Sequence, residues 1–324
     1  MVRIKPTREL SLAVLLAALI IFLSLTTNFN TVSGIYSFLL AASPTIVAAI
    51  ALAMVIFTGN IDISAGTISG FVAFTTGYLF RAGVPMLLAA LAGIVVGVAL
   101  AGLNGLISVK FRVPSIVVTL AMTMVHIGAY ATFLPGSGWV ENLGPGFTWF
   151  GRGRLLGVIP YAFVVAMLVA VAMMWVAKYT RFGRSLYAVG GNAQAAVYSG
   201  INPDRTVIKV FFLEGALLGI SAVMRATTRS EIMPSVFIGR ELFFIAAALV
   251  GGVSIFGGVG KLSGVVLGSA LVYLLTVTMI YLGFQDYYQF ALQGTIILLA
   301  VFISSGDFSR LKRFLRPGTV GGTQ

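Results

Sequence analysis

The sequence predicts an all-α, polytopic membrane protein with about ten transmembrane helices, some of them broken. Three observations carry that prediction. Of 324 residues, 59% are hydrophobic and only 9% charged, with a mean hydropathy of +1.03; a soluble domain carries about a quarter charged residues. Apolar runs close to the roughly 20 residues that cross a bilayer recur along the whole length. Between them stand turn signals: Asn28-Phe29-Asn30, Gly59-Asn60, Gly83-Val84-Pro85, Pro135-Gly136 and Asn202-Pro203-Asp204. Such a chain cannot bury its apolar surface and still offer water a charged shell. Disorder, collagen and a soluble dinucleotide-binding fold are excluded.

The predicted spans are 10–27, 35–57, 65–80, 85–109, 115–134, 158–177, 207–224, 236–256, 262–283 and 287–305. The first follows basic residues as a signal peptide would. It ends Ser24-Leu25-Thr26-Thr27-Asn28, with no small-x-small cleavage site, and is read as an uncleaved span. Small residues stripe one face of the fourth span (Gly93, Gly97, Ala101, Gly105). The pairs Gly66/Gly70, Gly215/Gly219 and Gly264/Gly268 repeat the pattern, which lets helix backbones approach closely. Laying 59–70 on 253–264 matches Ile61, Gly66, Ser69 and Gly70 with Ile255, Gly260, Ser263 and Gly264, which suggests two similar broken hairpins. The longest polar internal stretch is 178–206, followed by 135–157. Neither is large enough to fold alone, so residues 1–324 form one domain with a polar tail at 306–324. Within 178–206, Asn192 reads as an N-cap, Ala193 to Tyr198 as a short helix and Gly200 as its stop.

With the N-terminus inside, fifteen of the 21 Lys and Arg fall on the inner side, in the groups 3–8, 110–112, 178–209, Lys261 and 310–316. Six fall outside: Arg81, Arg152, Arg154, Arg225, Arg229 and Arg240. This bias places both termini in the cytoplasm. It also accounts for the net charge of +12 as membrane orientation, with no nucleic-acid partner. There is no cysteine and one histidine, His126, so disulfides, thiol chemistry and a His-rich metal site are excluded, and no metal or cofactor is expected.

Catalytic signatures are missing as well. No His-Glu-x-x-His or Gly-x-Ser-x-Gly occurs. Gly257-Gly258-Val259-Gly260-Lys261-Leu262 only imitates a phosphate loop: Ile255 stands where the first glycine belongs, and Leu262 where a Mg²⁺-binding hydroxyl belongs. The chain is therefore expected not to hydrolyse ATP, and a transport role remains. Asp62, after Gly59-Asn60 and before Ser64, has two readings. It caps the next helix, or together with Asn60 and Ser64 it lines a translocation path, since an ionisable group within a membrane is costly. His126 and Glu214 lie inside spans and are read as structural, Glu214 in an ion pair with Lys209 or at an interface. Arg225, Arg229 and Arg240, on the side that disfavours them, either dock an external protein or are simply solvated.

The run Gly183-Arg184-Ser185-Leu186-Tyr187-Ala188-Val189-Gly190-Gly191-Asn192, continuing through Ala195-Ala196 and Ser199-Gly200-Ile201, resembles the permease subunit of bacterial ABC importers for sugars, of the ribose type. Three further stretches agree: Gly59 to Gly66, Val113 to Leu120 and Val250 to Gly258. The resemblance implies a ten-helix type II importer permease in the inner membrane. It also implies a second permease subunit, separate ATP-binding cassette subunits and a periplasmic or lipoprotein sugar-binding protein. By the same resemblance the 178–206 loop docks on the ATPase, through Gly191, Asn192, Ala195, Ala196, Ser199, Gly200 and Ile201. Asn60 and Ala65 depart from the Gly and Val of many members. The Asn60-Ile61-Asp62 form and Trp139-Val140-Glu141 are similar to autoinducer-2 permeases, so autoinducer-2 or a deoxysugar is an alternative substrate. An ion-coupled secondary carrier is the alternative of another class.

Overall fold

The computed structural model describes residues 8–133, 139–285 and 287–304. The tail 306–324 lies outside them, as do Arg3 and Lys5. Thirteen α-helices occur among the described residues: α1 Arg8–Thr26, α2 Val32–Ile56, α3 Ala65–Arg81, α4 Met86–Phe111, α5 Ser115–Phe133, α6 Pro145–Arg152, α7 Tyr161–Tyr179, α8 Arg181–Gly191, α9 Ala193–Tyr198, α10 Pro203–Ala226, α11 Arg240–Val250, α12 Leu262–Tyr281 and α13 Tyr288–Ser304. Each predicted span falls on a helix. Six of the helices (α1, α2, α4, α7, α10 and α12) are long and apolar enough to cross a membrane unaided.

The eighth span, expected over 236–256, is corrected to the 11 residues of α11. Pro234 opens a 3₁₀ turn before it, and Gly239 enters the helix at φ 85°. After it the chain turns through Gly252, Gly257, Gly258 and Gly260, all at positive φ. Two helices went unread in the polar stretches, α6 and α8. Both are short and amphipathic, so neither makes a long apolar run.

Helix α2 is the axis of the bundle. Its sequence is apolar on every face, the pattern of a helix surrounded by protein, and every residue from Ile46 to Phe57 is buried. Helices α7, α10, α11 and α12 pack around it. Pro44 interrupts α2, and its carbonyl accepts the Ser221 hydroxyl of α10 at 2.6 Å. Peripheral α1 instead shows Leu10, Val14, Leu15 and Ile21 outward, as a lipid-facing helix does. The small-residue stripes are where helices touch: α4 meets α10 with Gly97 against Gly215 and Ile94 against Gly219, and α12 meets the end of α11 through Gly264, Gly268 and Gly251.

A Cβ at Gly97 would lie 2.8 Å from the Gly215 carbonyl oxygen and 3.0 Å from Val72. Two helix backbones cannot yield there as a side-chain tip would. Gly97→Val is therefore expected to cost about 1–3 kcal/mol through overpacking, read as a lower unfolding temperature in detergent; an unchanged temperature would refute the contact.

The loops sort to two ends. One end gathers the 57–64 turn, α8, α9 and the 251–261 loop: Gly258 N–H donates to the Phe57 carbonyl at 3.0 Å, and Lys261 pairs with Glu9 at 2.8 Å. The two hairpins matched by the sequence repeat meet here, with Gly257 packed on the backbone of Gly59. The other end is closed by α6, the small hairpin 154–155/159–160, and the bridge between Val140 and Ile232. There Arg152 donates to the Thr228 carbonyl at 3.3 Å and Arg154 stacks on Tyr36, so these two arginines hold loops together.

Candidate functional site

Between α2 and α3 the chain runs without helix from Phe57 to Ser64. Unwound backbone inside an apolar bundle needs partners for its N–H and C=O groups. Helix α5 supplies them from one face. Ser115 Oγ accepts the Ile61 N–H at 3.0 Å, and Thr119 Oγ1 accepts that of Ile63 at 3.0 Å. Thr123 Oγ1 sits 3.2 Å from the Ile63 carbonyl. One and two turns further on, His126 Nδ1 pairs with the Thr67 hydroxyl at 2.9 Å, and the Tyr130 hydroxyl donates to the Thr67 carbonyl. His126 is thus buried and hydrogen-bonded to a neighbouring helix through Nδ1, while its Nε2 has no partner. The hydroxyl spacing of four from Ser115 to Thr123 is the signal of this support in the sequence.

Asp62, 1% exposed, stands in the middle of this segment. Its Oδ1 accepts the N–H and the hydroxyl of Ser64, both at 2.6 Å, and Asn104 of α4 donates to the Ser64 hydroxyl at 2.7 Å. The capping expectation is met only in kind. The N–H that Asp62 takes belongs to the residue before α3, and Ser64 holds the N-cap position without a side-chain bond. Asn60 turns back to the Thr58 hydroxyl at 2.9 Å.

Glu214 of α10, fully buried, faces the Asp62 carboxyl. The expected ion pair with Lys209 does not form, because Lys209 points out of the bundle. Asp62 Oδ2 and both Glu214 oxygens accept no other hydrogen bond. Two carboxyls in contact bond to each other only when one keeps its proton, since an ionised carboxylate is acceptor-only. Glu241, at the start of α11, is also buried and lies beside Gly66. Three of the nine acids therefore converge on one interior region. Their separation in sequence hides this, because the bundle alone brings α3, α10 and α11 together.

A family profile for the branched-chain amino acid transport system / permease component matches residues 34–301. The chain belongs to that family. It is 32% identical over 299 residues to the ribose import permease of Escherichia coli (strain K12), covering 91% of this chain and 92% of the relative. It is 32% identical over 279 residues to the autoinducer 2 import system permease of Yersinia enterocolitica, covering 86% and 76%. The ribose import permease of Bacillus subtilis (strain 168) is 32% identical over 259 residues, 79% of each chain. No solved structure matches.

As a permease of this family, the chain bears its connecting helices at the end that also carries the unwound turn. Asn192 caps α9 by accepting the Ala195 N–H at 3.0 Å, and Gly200 stops it at φ 76°, as the sequence predicts. Gly191, Asn192, Ala195, Ser199 and Gly200 are exposed, and Ile201 is half-buried. Ala196 corrects the docking set: it is 3% exposed and packs into the chain's own core. The large apolar side chains that α9 turns outward are Val197 and Tyr198, the latter 92% exposed. Helix α8 is tied to the unwound segment by Tyr187, whose ring lies 4.5 Å from that of Phe57; burial there pushes its hydroxyl up to about 12, so it stays protonated.

At the opposite end Arg225, Arg229 and Arg240 all line cavities beside Tyr273, Arg229 exposed and the other two half-buried.

Proposed function

We propose that this chain is the membrane-spanning subunit of an ABC importer that brings a sugar of the ribose or autoinducer-2 kind across the inner membrane, with both termini in the cytoplasm. Two such subunits pair, separate ATPase subunits supply the work, and a periplasmic or lipoprotein binding protein delivers the substrate. The observation that carries this reading is likeness over most of the chain to import permeases for ribose and autoinducer 2. The arrangement supplies a route for force. An ATPase closing on α9 pushes α8, whose Tyr187 and Gly190 rest on Phe57. Phe57 opens the unwound segment that carries Asp62, so movement at the docking helix has a packed route to the interior carboxyl pair. Exposed Arg229 belongs to the face that meets the binding protein.

Uptake measured in cells separates this from an ion-coupled carrier, for which the Asp62–Glu214 pair is the one specific argument. Import is expected to stop when the partner ATPase is inactivated and to persist when the proton gradient is collapsed with ATP maintained. The reverse result would establish the carrier. The chain alone is expected to hydrolyse no ATP.

Orientation has its own test. The absence of cysteine allows clean labelling, although Ser137 and Ser309 lie outside the described residues. Cysteine at Ser230 should react with an impermeant maleimide from outside, and cysteine at Ser185 only after the membrane is opened. Labelling of position 185 in intact cells would invert the topology and remove the docking assignment.

A further inference from the structure

At the end of the bundle remote from α9, two cavities of about 470 and 380 Å³ flank one group of side chains: Arg225, Arg229, Arg240 and Tyr273. Both volumes are in the range that holds small ligands. Arg225 and Arg240 lie close enough to repel each other, and Arg229 adds to that field. Glu231 also lines the larger cavity, yet among the described residues none of the three arginines forms a salt bridge. Arg240 has a long contact from Nε to the Val236 carbonyl at 3.4 Å, and the Tyr273 hydroxyl stands near Arg225 and Arg240. Like charges held together at reduced dielectric repel one another more strongly than in water. An anion between them reverses the sign, and guanidinium forks match the oxygens of a carboxylate or phosphate.

A second, separate observation concerns hydroxyl recognition. Gln293 of α13 lines the smaller cavity, is 7% exposed, and its Oε1 accepts no hydrogen bond. A buried amide oxygen without a donor is costly, and a ligand hydroxyl would satisfy it. Thr276 stands in the same wall, and Trp139 lines the larger cavity with an aromatic face. Donors fit an anionic group on one side, and an acceptor fits a hydroxyl on the other.

We propose that this arginine–glutamine group is a binding site for a polyhydroxylated anion, a sugar bearing a carboxylate or phosphate, at the mouth through which substrate enters. The proposal goes beyond the importer reading, replacing a neutral sugar with an acidic one, and rests on that reading only for the word substrate; the site itself stands on the cavities and their lining.

The test uses the purified full-length chain in nanodiscs, with Trp139 as reporter. D-gluconate and D-ribose 5-phosphate represent the two anionic groups, D-ribose the neutral sugar and sulfate the bare anion. Saturable quenching is expected with at least one of the two sugar anions, with D-ribose and sulfate each at least about tenfold weaker. Which sugar anion binds identifies the anionic group. Arg225→Gln and Arg240→Gln should each weaken binding about tenfold or more, while Arg240→Lys, which keeps the charge, should lose less. Gln293→Leu should bring the sugar anion down toward sulfate. Equal binding of ribose, equal binding of sulfate, or no effect of either Arg→Gln change would overturn the proposal, as would failure of both sugar anions to bind. The lysine variant decides the matter if a glutamine variant does not fold. ATP-dependent uptake of a neutral sugar without anion binding would sink this site and leave the importer standing. Anion binding without any ATP-dependent uptake would do the opposite.

Discussion

Glu214→Leu is expected to destabilise the chain by about 1–3 kcal/mol, because it removes the hydrogen-bond partner of the buried Asp62 carboxyl. The magnitude follows from where the pair sits. Asp62 is 1% exposed and Glu214 fully buried, so no water replaces the lost partner. Ser64 still donates its N–H and hydroxyl to Asp62 Oδ1, which leaves Oδ2 as the orphan. Glu214→Gln keeps a donor at the same place and should cost about 1 kcal/mol or less. Asp62→Asn should likewise preserve fold and uptake: its carbonyl oxygen accepts both Ser64 bonds and its amide donates to Glu214. The double variant Asp62→Asn with Glu214→Leu should recover part of the loss, since it removes the stranded carboxylate. The measurement is the unfolding temperature of each purified variant beside its uptake. Strict additivity in this cycle would mean that the two carboxyls do not interact. Well-folded but inactive Asp62→Asn would show that the charge itself serves translocation.

Tyr198→Ala is expected to release the ATPase while leaving the fold intact. Its ring is the most exposed aromatic group on α9 and packs on nothing within the chain. Aromatic side chains at the centre of a contact typically contribute about 2–4 kcal/mol, which lowers association some thirty-fold or more. Co-purification of the ATPase and import should fall together, with binding-protein contact at the other end unaffected. Ala196→Glu should behave differently. Ala196 is buried inside its own loop, so a glutamate there breaks the α8–α9 unit and lowers stability as well as coupling. Normal ATPase capture by Tyr198→Ala would move the docking surface elsewhere, to the Lys110–Arg112 turn or the loop before Lys261.

Much of the end that bears α8 and α9 is legible from residue types. Asn192 before an alanine-rich run and Gly200 after it specify a six-residue helix through local chemistry alone, a cap and a left-handed stop, and the structure has both. Its outward face was not legible. Six residues carry too little periodicity to show that Ala196 turns in while Tyr198 turns out. The carboxyl pair was half legible. Asp62 stands out as an acid between apolar runs, and Glu214 as an acid within one. Nothing in the 151 intervening positions says that they meet, and the nearer Lys209 offered a false partner. The arginines were half legible for a related reason. The charge count sets an expectation for their side of the membrane, but whether a guanidinium faces solvent or a cavity depends on how α10, α11 and α12 lean together.

The sequence by itself determined that this chain is a membrane bundle, where most of its apolar helices lie and which glycines carry their contacts. Those features are set by composition, by apolar run length and by turn residues, all local quantities. Only the tertiary structure decided that α2 is the axis, that Ser115, Thr119 and Thr123 hold the unwound segment, and that Asp62 meets Glu214. It also decided that three arginines of like charge gather around Tyr273. These are pairings between distant segments in a medium without water, where each buried polar group must find its partner in another helix, and the choice of partner is fixed only when all the helices pack at once.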